Sequence, residues 1–468
     1  MEIRRLTLRE QLYCRRALSE VKHITLDPKG PGVVRIHLIP PRPSRKKEPF
    51  LLLLNGAQLI PLNTSWAILL SNFMDALAPW EGKEIPDDCW NAIRARAVVT
   101  TRRTYPLTPA KRLAADLRTM LDALIAIARG EEPGIPVGQL SLGEYAPYMS
   151  APHRMDLMVS AMTKDGAWHC NQKCLHCYAA GQPLGETPEL TTAQWKEILI
   201  RLREAKIPQV TFTGGEPTLR ADLVELVSAA QWFVTRLNTN GRLLTPALCK
   251  ALYEASLDSV QITLYSDDPA IHNALVGAEG FEDTIAGIHN AVAAGLNVSV
   301  NTPLCSRNAD YAATLRLAHS LGVRYATCSG LIPAGGAETD GSKATRLSAE
   351  ELESILKSGM DTARRLSMEV DFTSPGWLSE ATLRKLGFTL IPSCGACLSN
   401  MAIAPDGAVV PCQSWLGGTT LGSILKDPWP TIWESDACRA IRDESAKMEQ
   451  QCQLLPAKHP ADCTKGGC

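Results

Sequence analysis

The sequence predicts an α/β protein whose centre is a parallel sheet flanked by helices, and three observations predict it. From Met155 to about Phe372, short apolar runs alternate with amphipathic stretches, the pattern of repeated βα units. Behind the first of these runs stands His169-Cys-Asn-Gln-Lys-Cys-Leu-His-Cys-Tyr178, a C-x3-C-x2-C spacing that puts three thiols on one short loop. The last 75 residues hold Cys394, Cys397, Cys412, Cys438, Cys452, Cys463 and Cys468, whereas only Cys14 and Cys89 precede the triad. The expected division is therefore 1–150, a βα core of 151–375, and a cysteine-rich segment of 376–468.

At 468 residues the chain exceeds one ordinary core, and its 45% hydrophobic content is ample for burial. A formal net charge of -1 gives no general footprint for nucleic acid or an anionic membrane, so neither is an expected partner. No uncharged stretch reaches the roughly 18 apolar residues of a membrane span. The opening Met-Glu-Ile-Arg-Arg has no apolar signal core behind it. A cytoplasmic location is expected, with the cysteines serving metal rather than disulfides.

Along the first segment, Gly32 to Ile39 reads as a strand and Phe50 to Leu62 as a hairpin, since Asn55-Gly56 suits a type I′ turn. Thr64 or Ser65 would cap a helix with Trp66, Leu69, Leu70, Phe73 and Leu77 on one stripe. Thr108 and Pro109 open another, which buries Leu113, Leu117, Leu121 and Leu124 and stops at Gly130. The Gly/Pro-rich run to Pro152 reads as a linker.

In the core, six strands are expected: Met155 to Met162, Gln209 to Phe212, Phe233 to Leu237, Ser259 to Leu264, Asn297 to Val300 and Arg324 to Cys328. The helices between them run near Thr192 to Glu204, Ala221 to Gln231, Pro246 to Ala255, Phe281 to Ala294 and Ala309 to Leu321, the first with a Thr191/Gln194 capping box.

Three thiolates on one loop suit a cubane [4Fe-4S] cluster with one iron left open, because a structural zinc site normally closes with four protein ligands. A Cys3His zinc site closed by His169 or His176 is the alternative. Thr213-Gly214-Gly215-Glu216-Pro217 ends the second strand. Paired glycines let a ligand approach the backbone, and Glu216 can take a charge-assisted bond from an ammonium. Leu237-Asn238-Thr239-Asn240-Gly241 ends the third strand and Thr263-Leu264-Tyr265-Ser266 the fourth.

On the triad, the Gly-Gly-Glu-Pro run and these strand ends, the chain resembles the radical S-adenosylmethionine (radical SAM) superfamily. The resemblance implies a partial (β/α)6 TIM-like barrel with its chemistry at the C-terminal ends of the strands. It implies a [4Fe-4S] cluster on Cys170, Cys174 and Cys177, with SAM held by Gly214, Gly215, Glu216, Pro217, Asn238, Asn240, Ser266 and Tyr178. It also implies a reductant such as flavodoxin or ferredoxin, whose electron cleaves SAM to methionine and a 5′-deoxyadenosyl radical that abstracts hydrogen. One departure stands out. Where the family often has His-Asp-x-x-Arg-Gly, this chain has His272-Asn-Ala-Leu-Val-Gly277, without the arginine that commonly pairs with the SAM carboxylate.

The tail resembles the SPASM module, which carries auxiliary [4Fe-4S] clusters. The resemblance rests on Cys397, Gly407 and Cys412, on Leu421-Gly-Ser-Ile424 and on Ile432-Trp-Glu-Ser435. Asp406-Gly407 is a turn signal that would fold Cys397 against Cys412. The resemblance implies Cys394, Cys397, Cys412 and Cys468 around a first auxiliary cluster, and leaves Cys452 and Cys463 to a second one that is incompletely ligated, rearranged or absent. A zinc ribbon is the alternative. Cys438, in a predicted helix, reads as packing, and Cys249, Cys305 and Cys328 read as core.

The first segment resembles the winged-helix-like leader-recognition element of ribosomal-peptide-modifying enzymes, which takes a precursor peptide's leader as an added strand; a plain N-terminal cap is the alternative. Together the resemblances imply a peptide maturase that installs a crosslink, expected to be a thioether. Its rivals are a formylglycine-type sulfatase-maturing dehydrogenase, a carbon-carbon crosslinking or epimerising enzyme, and a non-catalytic zinc-binding peptide scaffold. No residue stands out as a general base.

Overall fold

A computed structural model describes residues 6–26, 34–40, 50–54, 58–80, 85–129, 131–138 and 149–447. The chain divides into two compact units, Met1–Ser150 and Ala151–Cys468. Among the described residues no helix is long and apolar enough to cross a membrane.

The first unit builds a four-stranded antiparallel meander from β1 (Lys22–Leu26), β2 (Val34–Ile39), β3 (Phe50–Leu54) and β4 (Gln58–Leu62), in that spatial order. β3 is buried along its whole length. The helix Thr64–Leu77 packs into the same core through Ala67, Leu69, Leu70, Phe73, Met74 and Leu77. Each buried Leu or Phe there contributes about 1.5–3 kcal/mol of transfer free energy. Asn63, one residue before the expected caps, accepts from the Trp66 N–H across 2.9 Å. Pro109 rather than Thr108 precedes the helix Ala110–Ala128. Two helices escaped the sequence reading, Leu8–Ala17 and Asp87–Thr104, because their mean polarity hides a narrow buried stripe. Asn55, Gly56 and Gly130 lie outside the described residues.

The second unit is organised by β5 (Arg154–Ser160), the two-residue ribbon β6 (Thr163–Lys164) and β7 (Ala167–Trp168), then β8 (Gln209–Gly214), β9 (Val234–Thr239), β10 (Ser259–Thr263), β11 (Asn297–Pro303), β12 (Tyr325–Ser329) and β13 (Glu369–Phe372). Apart from the ribbon, these strands form a parallel sheet in the order β13-β12-β11-β10-β9-β8-β5. The order steps by one position per βα unit, so consecutive strands are neighbours in the sheet. β13 adds a seventh parallel strand to the six expected; only four residues long and half charged, it carries too short an alternation to be read from sequence.

The tail continues the same sheet. β14 (Asn400–Ile403) runs parallel to β5, β15 (Ala408–Val410) turns back on it, and β16 (Gly422–Ser423) follows. The sheet is not closed, which is the partial barrel of the expected fold class. The described part of the tail therefore covers the exposed edge of β5 with backbone hydrogen bonds.

Candidate functional site

The triad loop follows β5 only after the β6–β7 ribbon, whose turn uses positive φ at Asp165 (51°) and Gly166 (75°). Three separate segments then frame the loop. Lys173 and Leu175 donate their N–H groups to the carbonyls of Val276 and Leu275, each across 2.9 Å. Gly336 donates to the Cys177 carbonyl across 2.8 Å, and Ser342 Oγ to the Leu175 carbonyl across 2.9 Å. On the third side Cys170 Sγ lies 3.3 Å from the carbonyl oxygen of Gly215. The 335–345 segment went unnoticed in the sequence, since a Gly-Gly pair remote from any motif carries no sign of its partner.

Val276 occupies the place of the family's arginine and is buried, so that segment gives the triad loop carbonyl acceptors rather than a cation. Arg242, also unforeseen, reaches the loop from beyond β9: Nη1 donates to the Asn171 carbonyl across 2.6 Å, while Nε and Nη2 grip Asp283.

The paired glycines have a nearer cause than a ligand. A Cβ on Gly214, whose φ is 141°, would stand 2.2 Å from the Ser160 carbonyl oxygen, and one on Gly215 would stand 2.7 Å from that of Ala161. The end of β8 is pressed directly against the end of β5, and only glycine permits that approach. Pro217 is buried and opens a short 3-10 turn.

Glu216, 1% exposed, joins three strand ends. Its N–H donates to Ser160 Oγ across 3.0 Å. Its Oε1 accepts from Thr239 Oγ1 (2.6 Å), the Thr218 N–H (3.0 Å) and Thr218 Oγ1, whereas Oε2 accepts only from the Asn240 N–H (2.8 Å). Burial pushes its carboxyl above the usual range despite these donors. A sequestered carboxyl with no cation among its hydrogen-bond partners, and one oxygen lightly used, fits an ammonium or sulfonium guest.

The other expected contacts divide. Asn238 Oδ1 is buried on β9 without a protein partner. Asn240 is committed: Nδ2 donates to Asn171 Oδ1 (2.6 Å) and Oδ1 accepts from the Arg242 N–H (3.1 Å). Ser266 Oγ accepts from the Asp268 N–H across 3.1 Å. The Tyr178 hydroxyl bonds to the Thr213 side chain and faces Asp156, Cys177 and Cys412, and burial drives it well above its ordinary pKa. Tyr265, unforeseen, is buried against Cys174 and Cys177.

Burial also pushes the Cys170 thiol up to about 12, and raises Cys174 and Cys177, with the neighbouring sulfurs adding to the effect at Cys170 and Cys174. Three such thiols become thiolates only with positive charge placed among them, which iron supplies. His176 Nε2 is engaged by Thr345 Oγ1 at 2.8 Å, and burial lowers the imidazole to about 4. Among the described residues no three His, Cys, Asp or Glu donors converge tightly enough for one ion. The donor set suits a multi-iron cluster better than a single zinc.

In the tail, the β14–β15 hairpin turns at Gly407 (φ 88°), and Cys397 donates its N–H to the Pro411 carbonyl across 3.0 Å, beside Cys412. Cys394 and Cys397 are buried, and Cys412 faces Cys394. Cys438 is fully buried, and Arg442 Nη1 donates to its Sγ across 3.6 Å. Cys249, Cys305 and Cys328 are fully buried. Cys452, Cys463 and Cys468 lie outside the described residues.

The Radical SAM superfamily model matches residues 169–318, and a model of the SPASM iron-sulfur cluster-binding domain matches residues 394–463. The chain is 29% identical over 333 residues to an AdoMet-dependent heme synthase of Oleidesulfovibrio alaskensis, covering 66% of this chain and 84% of that protein. It is 27% identical over 321 residues to a PqqA peptide cyclase of Streptomyces rochei, covering 63% and 80%. Among solved structures, Streptococcus suis SuiB bound to precursor peptide SuiA superposes with a TM-score of 0.56 at 15% identity, over 84% of this chain and 87% of that one. Native anSMEcpe with bound AdoMet and Kp18Cys peptide does so with 0.51 at 17%, over 63% and 83%. At such identities these two likenesses speak for the fold alone.

Proposed function

We propose that this chain, an enzyme with a radical SAM domain and a C-terminal SPASM iron-sulfur domain, modifies a ribosomally made precursor peptide. Its cofactors are a [4Fe-4S] cluster, SAM and iron-sulfur chemistry in the tail. When bound, the cluster and SAM supply a carbon radical that removes hydrogen from an unactivated carbon.

The chain's own residues set the conditions. Cys170, Cys174 and Cys177 would hold the cluster. Glu216 Oε2 and the backbone at Gly214–Gly215 would take the amino group of SAM, with Asn238 Oδ1 and Ser266 as further contacts. Tyr178, half-buried beside Thr213 and Cys412, would form the wall shared by the two cysteine groups and would help to exclude water and competing hydrogen donors.

The observation that carries the reading is the stitching of the triad loop to the tail. The Gln182 side-chain amide donates to the Tyr178 carbonyl and, at 3.4 Å, to that of Ser414, two residues beyond Cys412. Two cysteine groups on loops of one sheet would suit an oxidation that begins beside one and passes its electron to the other. A peptide is supported by the PqqA peptide cyclase and by SuiB and anSMEcpe seen with peptides, whereas the heme synthase relative carries no peptide in its name. The described four-stranded sheet of the first unit would add a leader as a further strand.

The bond formed is proposed to be a thioether from a cysteine thiol to carbon, with a reductant of the flavodoxin or ferredoxin class. Formylglycine-type dehydrogenation, carbon-carbon crosslinking and epimerisation remain the rivals. The test is anaerobic incubation of the reconstituted enzyme with SAM, reductant and a cysteine-containing precursor peptide. The expected result is 5′-deoxyadenosine together with a peptide two hydrogens lighter and one thiol fewer by alkylation, both lost in Cys174→Ala. An unchanged mass with an inverted residue would point to epimerisation, and two hydrogens lost with every thiol still alkylated would exclude the thioether.

A further inference from the structure

Successive residues of a strand point to opposite sides of a sheet, and the two sides of β8 to β13 are chemically unlike. Phe212, Leu237, Ile262, Val300, Ala326 and Phe372 share one side and are buried. The other side is polar. Asn238, Gln261, Asn301, Thr327 and Asp371 stand on it, and all but Thr327 are only half-buried. Hydrogen bonds join them across strands: Gln261 Nε2 donates to Thr327 Oγ1 (3.1 Å), and Thr327 Oγ1 donates to Asn301 Oδ1 (2.8 Å). Arg236, also on this side, faces both Asp156 of β5 and Tyr325 of β12, so the sheet curls around it. A half-covered polar concavity is a lumen for a guest and not a packed core.

Two carboxylates stand on the polar side. Asp156 is paired with Arg154 Nε at 2.9 Å. Asp371 forms no ion pair among the described residues, and its Oδ2 accepts from the Tyr325 hydroxyl across 2.9 Å. Thr263, Asn301, Thr327 and Asp371 are successive register partners, while Ile262 pairs with Thr239. The row therefore begins beside Asn240, which donates to Asn171 of the triad loop, and ends at Asp371. Asp371 sits at the level of the strand ends that carry the triad.

A thioether, a carbon-carbon link and a formylglycine-type product each cost the peptide two hydrogens. One leaves as an atom to the deoxyadenosyl radical, so a peptide C–H bond breaks and a C–H bond of 5′-deoxyadenosine forms. For a thioether the S–H bond then breaks as C–S forms, which releases one proton and one electron. The electron passes to the oxidised iron-sulfur cluster of the tail. The proton needs an acceptor, and the amides, hydroxyls and guanidinium groups of the lumen take none at neutral pH.

We propose that Asp371, held by the Tyr325 hydroxyl, is the group that accepts this proton. The inference rests on the reading of the chain as a peptide-oxidising enzyme. Burial raises the Asp371 carboxyl above its ordinary range, which makes it a better base, and Tyr325 opposes the rise by donating to the carboxylate. Tyr311 and Cys328 also lie near Asp371, both kept neutral by burial, while Arg236 and Glu369 bear on Tyr325.

The test incubates the holoenzyme with SAM, reductant and the cysteine-containing precursor peptide in deuterium oxide, and counts modified peptide against 5′-deoxyadenosine. Asp371→Asn is expected to lower that ratio about a hundredfold. It is also expected to return unmodified peptide with one carbon-bound deuterium, the trace of a substrate radical that was made and not oxidised. Asp371→Glu is expected to restore most of the ratio. Tyr325→Phe removes a donor to the carboxylate, so the carboxyl titrates higher and the acid limb of product formation moves to higher pH. The Asp371 carboxyl stretch, isolated in the resting enzyme as an infrared difference against Asp371→Asn, is expected to titrate in step with and without the Tyr325→Phe change. An unchanged ratio in Asp371→Asn, with the parent oxidising the peptide, would overturn the role of Asp371 alone. So would equal loss in Asp371→Asn and Asp371→Glu with no deuterium retained. A parent that returns the peptide epimerised would instead overturn the reading on which the inference rests.

Discussion

Leu184 donates its backbone N–H to the carbonyl oxygen of Leu416 across 3.1 Å. With the Gln182 bridge between Tyr178 and Ser414, this bond makes the segment after the triad and the segment after Cys412 one mechanical piece. Both pack on a shared core of Met158, Met162, Ala402 and Val410. Whatever displaces one cysteine group therefore displaces the wall of the other.

Gln182→Ala is expected to leave SAM cleavage near the parent rate and to lower the yield of modified peptide per 5′-deoxyadenosine severalfold, because the amide touches neither SAM nor iron. Chromatographic quantification of both products in one reaction checks it; a parallel fall of the two would show that the bridge serves only folding.

Glu216→Gln removes the buried anion while leaving a group of the same shape. A hydrogen bond to a charged partner contributes about 1.5–3 kcal/mol, so SAM affinity is expected to fall roughly ten- to a hundredfold. Anaerobic equilibrium binding measures this directly, and unaltered affinity would remove Glu216 from the cofactor site.

Gly277 holds φ at 64°, and a Cβ there would stand 2.5 Å from the Lys173 carbonyl oxygen. Gly277→Ala must shift the triad loop or the helix end at a cost of about 1–3 kcal/mol. Iron bound at the triad is expected to fall well below the parent level, with the tail cluster retained; iron counting against a Cys170→Ala, Cys174→Ala, Cys177→Ala reference separates the two.

The triad also predicts a pH dependence of the iron-free protein. A cysteine thiol ordinarily titrates near 9.0, and burial lifts Cys170 to about 12 in the folded chain, with Cys174 and Cys177 raised as well. Above the unfolded value the unfolded chain has released protons that the folded chain still holds, so stability declines as pH rises from about 9 towards the folded values. Thermal unfolding between pH 7 and 10 is expected to show this decline in iron-free protein, and a shallower one in the triple alanine variant.

Much of the site was legible because its chemistry is local in sequence. Three thiols within eight residues offer a metal site by their spacing, and together with Thr213-Gly214-Gly215-Glu216-Pro217 at a strand end they carry the resemblance that implies a function. The glycines were read as admitting a ligand to the backbone; that they also lie against the Ser160 carbonyl, more than fifty residues away, was not legible. Asn238 and Asn240, two residues apart, could not be ranked from the sequence; the fold leaves Asn238 Oδ1 unpartnered and spends Asn240 on Asn171.

By itself the sequence determined the α/β class, the order of βα units and the residue types able to hold iron, because periodicity and short-range spacing are properties of the chain before it folds. Only the tertiary structure decided that β14 lies against β5, that the Gly335–Gly336 turn braces Cys177, and that Ser445 reaches the Ala396 carbonyl. Each of those joins segments far apart in the chain. Such contacts are fixed by complementary surfaces and unsatisfied backbone groups that exist only once the sheet has formed.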